Sequence, residues 1–279
     1  MGSSKGGCDL ARGTRGKAHP QFAFKVAHLA AGGFLHFLKH TRGALEAPEG
    51  FIPMALPWKT LDRFTTDDET LELRQRGERD FIITLGSQVL MNSMAQRSEM
   101  ALGALGCKGL ENHPAPRVMV GGLGMGCTLR AVLDALPETA EVVVAELSEQ
   151  IVTWCKGPLA SLTNGAVSDP RVTVALGDVA KLISNTAKET NTPRFDAIIL
   201  DLYRGPHART DKKSDPFYGS RAIGRAHACL KPGGTLAVWG ETYDEGFAKR
   251  MTQGGFATTC ERPGKGGYRH AVFLGKKKR

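Results

Sequence analysis

The 279-residue sequence predicts an α/β protein built on a doubly wound, mostly parallel sheet. Three observations carry that expectation. From residue 117 onward, short β-branched runs alternate with stretches of helical period, as strand–helix–strand units do. Between the first such strand and its helix the chain reads GGLGMG, residues 121–126. The strands that follow run out onto carboxylates, at Glu146, Asp178 and Asp201.

In chain order, residues 1–50 read as a basic, partly disordered extension. "MGSSKGGCDLARGTRGK" has too little apolar content to fold. "FAFKVAHLAAGGFLHFLKH" fits a packed helix, a membrane-surface segment, part of a transit peptide or upstream sequence translated from a misplaced start codon. Its His36 and His40 lack the accompanying Glu of a metal-binding HExxH, so no metal is expected. Residues 51–100 form a small β-hairpin unit with a linking helix, because "TLELRQRGERDFIITLGSQVLMN" gives short strands around turns at Arg76-Gly77 and Gly86-Ser87. Residues 101–275 hold the main domain. Its strands are "RVMVG", "EVVVAEL", "RVTVAL", "FDAIILD" and "TLAVWG", closed by an antiparallel pair, "FATTCE" and "YRHAVFL". Helices fall between them, with Trp154 and Cys155 on the buried face of one. The final KKKR, 276–279, reads as a basic tail.

Composition narrows the partners. The net charge of +9 lies in the two ends: residues 1–43 and the last four carry all of the excess. The body is near neutral, so nucleic-acid binding by the folded domain is not implied. No run of 18 apolar residues suggests a membrane span. The six cysteines form no CxxC pair, which fits a reducing compartment rather than a zinc site or disulfide framework.

The chemistry concentrates at the strand ends. A glycine turn from strand into helix lets backbone amides and the helix N-terminus approach a nucleotide-like ligand. The spacing here is GxGxG, with Gly122, Gly124 and Gly126, and Cys127 stands where a dinucleotide fingerprint has its third glycine. Glu146, twenty residues beyond Gly126, suits the two hydroxyls of a ribose, and Asp178 an adenine amino group. Each of these acids alone, and Asp201 as well, would also fit a plain helix N-cap beside a tight turn. Together with Asp201 they point to S-adenosylmethionine-type binding in a Rossmann-like fold. Tyr203 and Trp239 read as walls of an acceptor pocket or as core. His207 and Asp215 lie in a polar loop, 207–215, that reads as a lid or as surface; His207 is also weighed as a general base.

At this point the chain resembles the spermidine synthase-like branch of the class I methyltransferase fold, over roughly residues 70–275. The resemblance rests on Ser98-Glu99, the glycine turn running into Leu129-Arg130, and "AEL" at 145–147. It continues through "DPRVTVALGD", "FDAIILD" and "LKPGGTLAV". It implies transfer of an aminopropyl or methyl group from S-adenosylmethionine or its decarboxylated form, without a metal. Family members typically read YHE where this chain has Arg97-Ser98-Glu99, so only Glu99 carries over. Their glycine turn holds an Asp that meets the donor's amino group; Met125 stands there. After the fourth strand they read D-S/T-S/T-D-P, the first Asp orienting the amine and the second holding the diamine. Here Asp201 survives and the second acid becomes Arg204, which reads either as a solvent-facing side chain or, if it faces the pocket, as a partner for an acceptor's carboxylate or phosphate.

The resulting expectation is a transferase with Asp201 catalytic, and Gly122, Gly124, Gly126, Glu146 and Asp178 binding the donor. Glu99, Tyr203, Arg204 and Trp239 line the acceptor side. The acceptor is a small amine or a nucleophile bearing an anionic group, a homodimer is allowed, and the location is cytoplasmic, or an organelle if the extension is a transit peptide. Two alternatives remain open: a methyltransferase proper, and a non-catalytic nucleoside-binding relative.

Overall fold

The computed structural model describes residues 56–65, 69–264 and 269–279. The apolar segment 22–40, with His36 and His40, lies outside them. The chain divides into two units, Met1–Met54 with Thr65–Glu69, and Ala55–Phe64 with Thr70–Arg279. Both sheets are built almost wholly from the second.

The first sheet has four strands in sequential order: β1 Lys59–Thr65, β2 Thr70–Arg76, β3 Asp80–Leu85 and β4 Gln88–Asn92. β2, β3 and β4 pair antiparallel around the expected turns. β1 has no counterpart in the sequence reading. Along its length only Leu61 is even half-buried, so no alternation of apolar and polar residues announces a strand. Leu73, Phe81 and Ile83 turn inward into the core.

Helix α1, Arg97–Gly106, links this sheet to the main domain and packs on α2, Cys127–Ala135. The approach is close: a Cβ on Gly103 would lie 2.7 Å from that of Ala131. The second sheet has seven strands, β5 Arg117–Gly121, β6 Glu141–Glu146, β7 Val172–Leu176, β8 Phe195–Leu200, β9 Leu230–Gly240, β10 Phe256–Glu261 and β11 Ala271–Lys277. Their spatial order is β10-β11-β9-β8-β5-β6-β7. β5 to β9 run parallel; β11 lies antiparallel to both β9 and β10. The intervening helices are α3 Glu149–Lys156, α4 Val179–Lys188, α5 Ser220–Cys229 and α6 Glu245–Gln253.

Alternation within the strands fills both faces. Val118, Val120, Val142, Val144, Ala197 and Ile199 join the core cluster that includes Leu129 and Trp154 of α2 and α3. Met119, Val143, Ala145, Ile198 and Leu200 join the one with Ile183, Ile223 and Phe247 of α4, α5 and α6. A parallel sheet buried on both faces must be apolar at nearly every position, as "RVMVG" and "FDAIIL" are. Winding proceeds from β5 toward β7 on one side and toward β9 on the other. The reversal falls between β5 and β8, and the crevice outside their carboxyl ends is where such sheets bind ligands.

Two boundaries differ from the sequence reading. β9 already begins at Leu230 and carries Lys231-Pro232-Gly233-Gly234, with a register shift against β8. β11 extends to Lys277, so half of the expected basic tail is strand. Lys277 Nζ donates to the carbonyl oxygens of His227 and Leu230 at 2.8 and 2.7 Å, supplying a cation to the end of α5 where helix carbonyls lack partners.

Candidate active site

The glycine turn is shaped first by the backbone beside it. Gly122 has φ +89°, and a Cβ there would overlap the carbonyl oxygen of Asp201. Asp201 N–H donates to Gly121 O at 2.8 Å, and Gly122 N–H to Ala145 O at 2.9 Å, so the ends of β8, β5 and β6 are stitched together at this point. Gly126, at φ +84°, begins α2 and faces Thr163, 3.3 Å from where its Cβ would lie. No side chain caps α2, and its first turn carries no acid. The loop between holds Leu123 and Met125, both buried in the core. Met125 thus takes the place of an acid with an apolar side chain turned into the packing.

Glu146 closes β6 and is buried. Its Oε2 accepts the Leu123 N–H at 2.9 Å and its Oε1 the Ser148 N–H at 2.8 Å. The carboxylate ties the glycine turn to the start of α3, with lone pairs remaining on both oxygens. Leu147 follows it in the chain and Leu176 is its register partner on β7; both are exposed, 47% and 56%. Asp178 is the N-cap of α4, its Oδ1 accepting from Ala180 and Lys181 N–H at 2.7 and 3.3 Å.

Asp201 follows β8 directly, beside the glycine turn. Burial, and secondarily the nearby Glu99 carboxylate, push its carboxyl up to about 7 against the opposing hydrogen bond from Thr128. Thr128 Oγ1 lies 2.6 Å from Asp201 Oδ2 and 3.3 Å from Glu99 O. Glu99, on the first turn of α1, accepts from Ser98 Oγ at 2.7 Å. Burial holds the Cys127 thiol up at about 12, with Glu99 and Asp201 adding to the effect, so it stays a neutral neighbour. The fold therefore brings Glu99, Asp201 and the glycine turn together. Thr128 is the residue that sequence reasoning missed. Its only signal is a hydroxyl in the first turn of the helix after the glycines.

The segment after Asp201 is held against β9. A Cβ on Gly205 would lie 2.5 Å from Trp239 O. Arg204 adopts φ +76°, unusual for a residue with a side chain, and its guanidinium sits 5.3 Å from the centre of the exposed Tyr203 ring. Trp239 is half-buried and packs against His270, with ring centroids 4.9 Å apart. His207 serves as a cap: its Nδ1 accepts the Arg209 N–H at 3.2 Å while Thr210 Oγ1 accepts the His207 N–H. That engages one of its two ring nitrogens in the loop's own structure. Asp215 likewise accepts from Phe217 and Tyr218 N–H. Arg250 of α6 pairs with Asp211 and donates to Tyr218 O, anchoring the loop to the body.

Among the described residues no cluster of His, Cys, Asp and Glu is arranged to hold a metal ion. No helix among them is long and apolar enough to cross a membrane.

A reversal of winding with a glycine turn and strand-end acids beside it defines a doubly wound, Rossmann-like α/β protein. The family model "Spermine/spermidine synthase domain" matches residues 104–244, just over half of the chain, and the chain belongs to that family. It is 31% identical over 140 residues to a polyamine aminopropyltransferase of Clostridium tetani, covering 48% of this chain and 44% of that one. It is 34% identical over 131 residues to polyamine aminopropyltransferase 2 of Hyperthermus butylicus, covering 45% and 39%. The matched part is thus less than half the length of these relatives. The crystal structure of spermidine synthase from Thermotoga maritima superposes with a TM-score of 0.59 at 17% identity, covering 78% of this chain and 72% of that one. At that identity the likeness speaks for the fold.

Proposed function

We propose that this chain transfers an aminopropyl group from decarboxylated S-adenosylmethionine to the nitrogen of a small amine. One observation carries the reading: Asp201 stands at the switch point, half-buried, hydrogen-bonded to Thr128, and with its carboxyl raised to about 7. A general base is most effective when its pKa lies near the working pH. An amine must shed a proton to attack, and a carboxylate poised there can take it. Family membership and the aminopropyltransferase relatives support the same chemistry.

The residues present fit such a donor. Gly122, Gly124 and Gly126 leave the turn free of side chains, Glu146 offers lone pairs to the ribose, and exposed Leu147 and Leu176 offer apolar surface to a purine. Asp178 stands at the far rim, two strands from the turn, for the adenine amino group. Transfer of methyl from S-adenosylmethionine itself would use the same donor residues.

On the acceptor side the reading departs from a plain diamine. Where the family's pattern has an acid for the distal ammonium, this chain has Arg204. A like charge about 4 Å away, at an effective dielectric near 20, is worth about 4 kcal/mol of repulsion. The acceptor is therefore an amine or other nucleophile bearing an anionic group, with Glu99, Tyr203 and Trp239 around it. The reading places the chain in the cytoplasm and leaves a homodimer open. The test is product analysis by mass spectrometry after incubation with decarboxylated S-adenosylmethionine, S-adenosylmethionine and a pool of amines. Appearance of an aminopropylated amine supports it; donor binding with no alkylated product from any amine overturns it.

A further inference from the structure

We propose that Thr128 is a positioning residue for the transfer: its hydroxyl engages Oδ2 of Asp201 and leaves Oδ1 as the oxygen that takes the acceptor's proton. The inference rests on the transfer reading above. Thr128 is 2% exposed and lies in the first turn of α2, with Oγ1 2.6 Å from Asp201 Oδ2. The second contact, to Glu99 O, is 3.3 Å. A hydroxyl has one proton, and both neighbours are acceptors, so the shorter contact to the carboxylate takes it.

A threonine in a helix ordinarily spends its hydroxyl on a carbonyl three or four residues back. Here it bonds instead to the residue that follows β8, 73 positions away. The groups around Asp201 make that bond consequential. Glu99 faces it from α1, the protonated Cys127 thiol from α2 and the Tyr218 phenol from the segment before α5. None of these supplies a cation. Burial and Glu99 oppose ionisation of Asp201, and the Thr128 hydroxyl favours it.

In the step, the nitrogen lone pair attacks the carbon attached to the sulfonium. The N–C bond forms and the C–S bond breaks, its electron pair leaving on sulfur as a neutral thioether. The proton on nitrogen passes to Asp201 Oδ1. Fixing Oδ2 holds the carboxylate plane, so Oδ1 meets the nitrogen in one orientation.

The experiment compares the full chain with Thr128→Val, Thr128→Ala and Thr128→Ser. The first readout is the titration of the Asp201 carboxyl by 13C NMR, assigned with Asp201→Asn and recorded without donor or amine. The second is the pH profile of kcat/KM with decarboxylated S-adenosylmethionine and the accepted amine. Losing a hydrogen bond to a charged group should move the Asp201 midpoint upward by about one pH unit in the Val and Ala variants. The acid limb of the profile should move with it, donor Kd should hold, and Ser should restore both. An unmoved midpoint in a folded Val or Ala variant overturns the proposal, as does a Ser variant behaving like Val. If transfer runs and the midpoint stays, only this proposal falls. If the midpoint moves and no amine is alkylated, the transfer reading falls and takes the proposal with it.

Discussion

A half-buried carboxylate at Asp201, packed against the buried Thr128, is a burden on the folded state as well as a tool. Its carboxyl sits at about 7 in the folded chain, above the usual aspartate value of 3.8. The folded state therefore binds more protons than the unfolded one between those values, and stability falls as pH rises from about 4 through 7. Asp201→Asn should escape this cost. Its unfolding free energy should match the parent's near pH 4 and exceed it increasingly up to pH 8, by on the order of 2 kcal/mol there, with a higher melting temperature, while transfer is lost. A parent and variant that melt together at pH 8 would contradict the buried, raised carboxyl. On the acceptor side, Arg204→Asp should shift preference toward putrescine, measured as the ratio of kcat/KM between putrescine and an anionic amine. Efficient putrescine turnover by the parent, unchanged by Arg204→Asp, would return the acceptor to the plain diamine class. Asp201 could be singled out in the sequence because a strand end is where an apolar run stops, and Arg204 because it stands where the resembled family's pattern has a second acid. Thr128 could not, since one hydroxyl at the start of a helix looks like any other. The chain also shows where a motif misleads: Met125 sits inside the glycine turn yet turns into the core.

Among the elements, β5 and β8 depend on one another through Gly122. Any side chain there meets the backbone of Asp201 and must also hold φ +89°. Gly122→Ala should cost about 2–4 kcal/mol in chemical denaturation and abolish donor binding, because the strand ends that frame the crevice would separate. A variant of normal stability would mean that the turn relaxes without its neighbours. Glu146 joins elements in the same way, bridging the turn to α3. Glu146→Ala should weaken donor binding by roughly 1.5–3 kcal/mol by calorimetry; an unchanged Kd in the folded variant would remove the ribose assignment. The sequence made these elements visible where both faces of a strand are apolar, as in β5, β6 and β8. It hid β1, whose residues mostly face solvent, and it started β9 late because Pro-Gly-Gly reads as a turn even when the strand runs through it.

For the molecule as a whole, the two sheets fall within residues 55–279, so a version lacking residues 1–43 should keep the melting transition and the donor affinity of the full chain. Loss of cooperative melting would show that the extension is part of the folding unit. The doubly wound class follows from alternating periods, which are local and legible. The order of strands does not, because it depends on which edge each crossover returns to. That order also decides where the chain leaves the sheet. β11 runs antiparallel to β9, with Ala271 opposite Gly240 at the crevice end and Lys276 opposite Thr235 at the other. Lys277 is fastened there to the last carbonyls of α5, at the sheet's opposite rim from Gly122 and Asp201. The exposed Lys278 beside it makes a natural anchor point for immobilisation. A chip or bead coupled at that rim would hold the crevice toward the flowing solution, with β11 acting as a rigid stem.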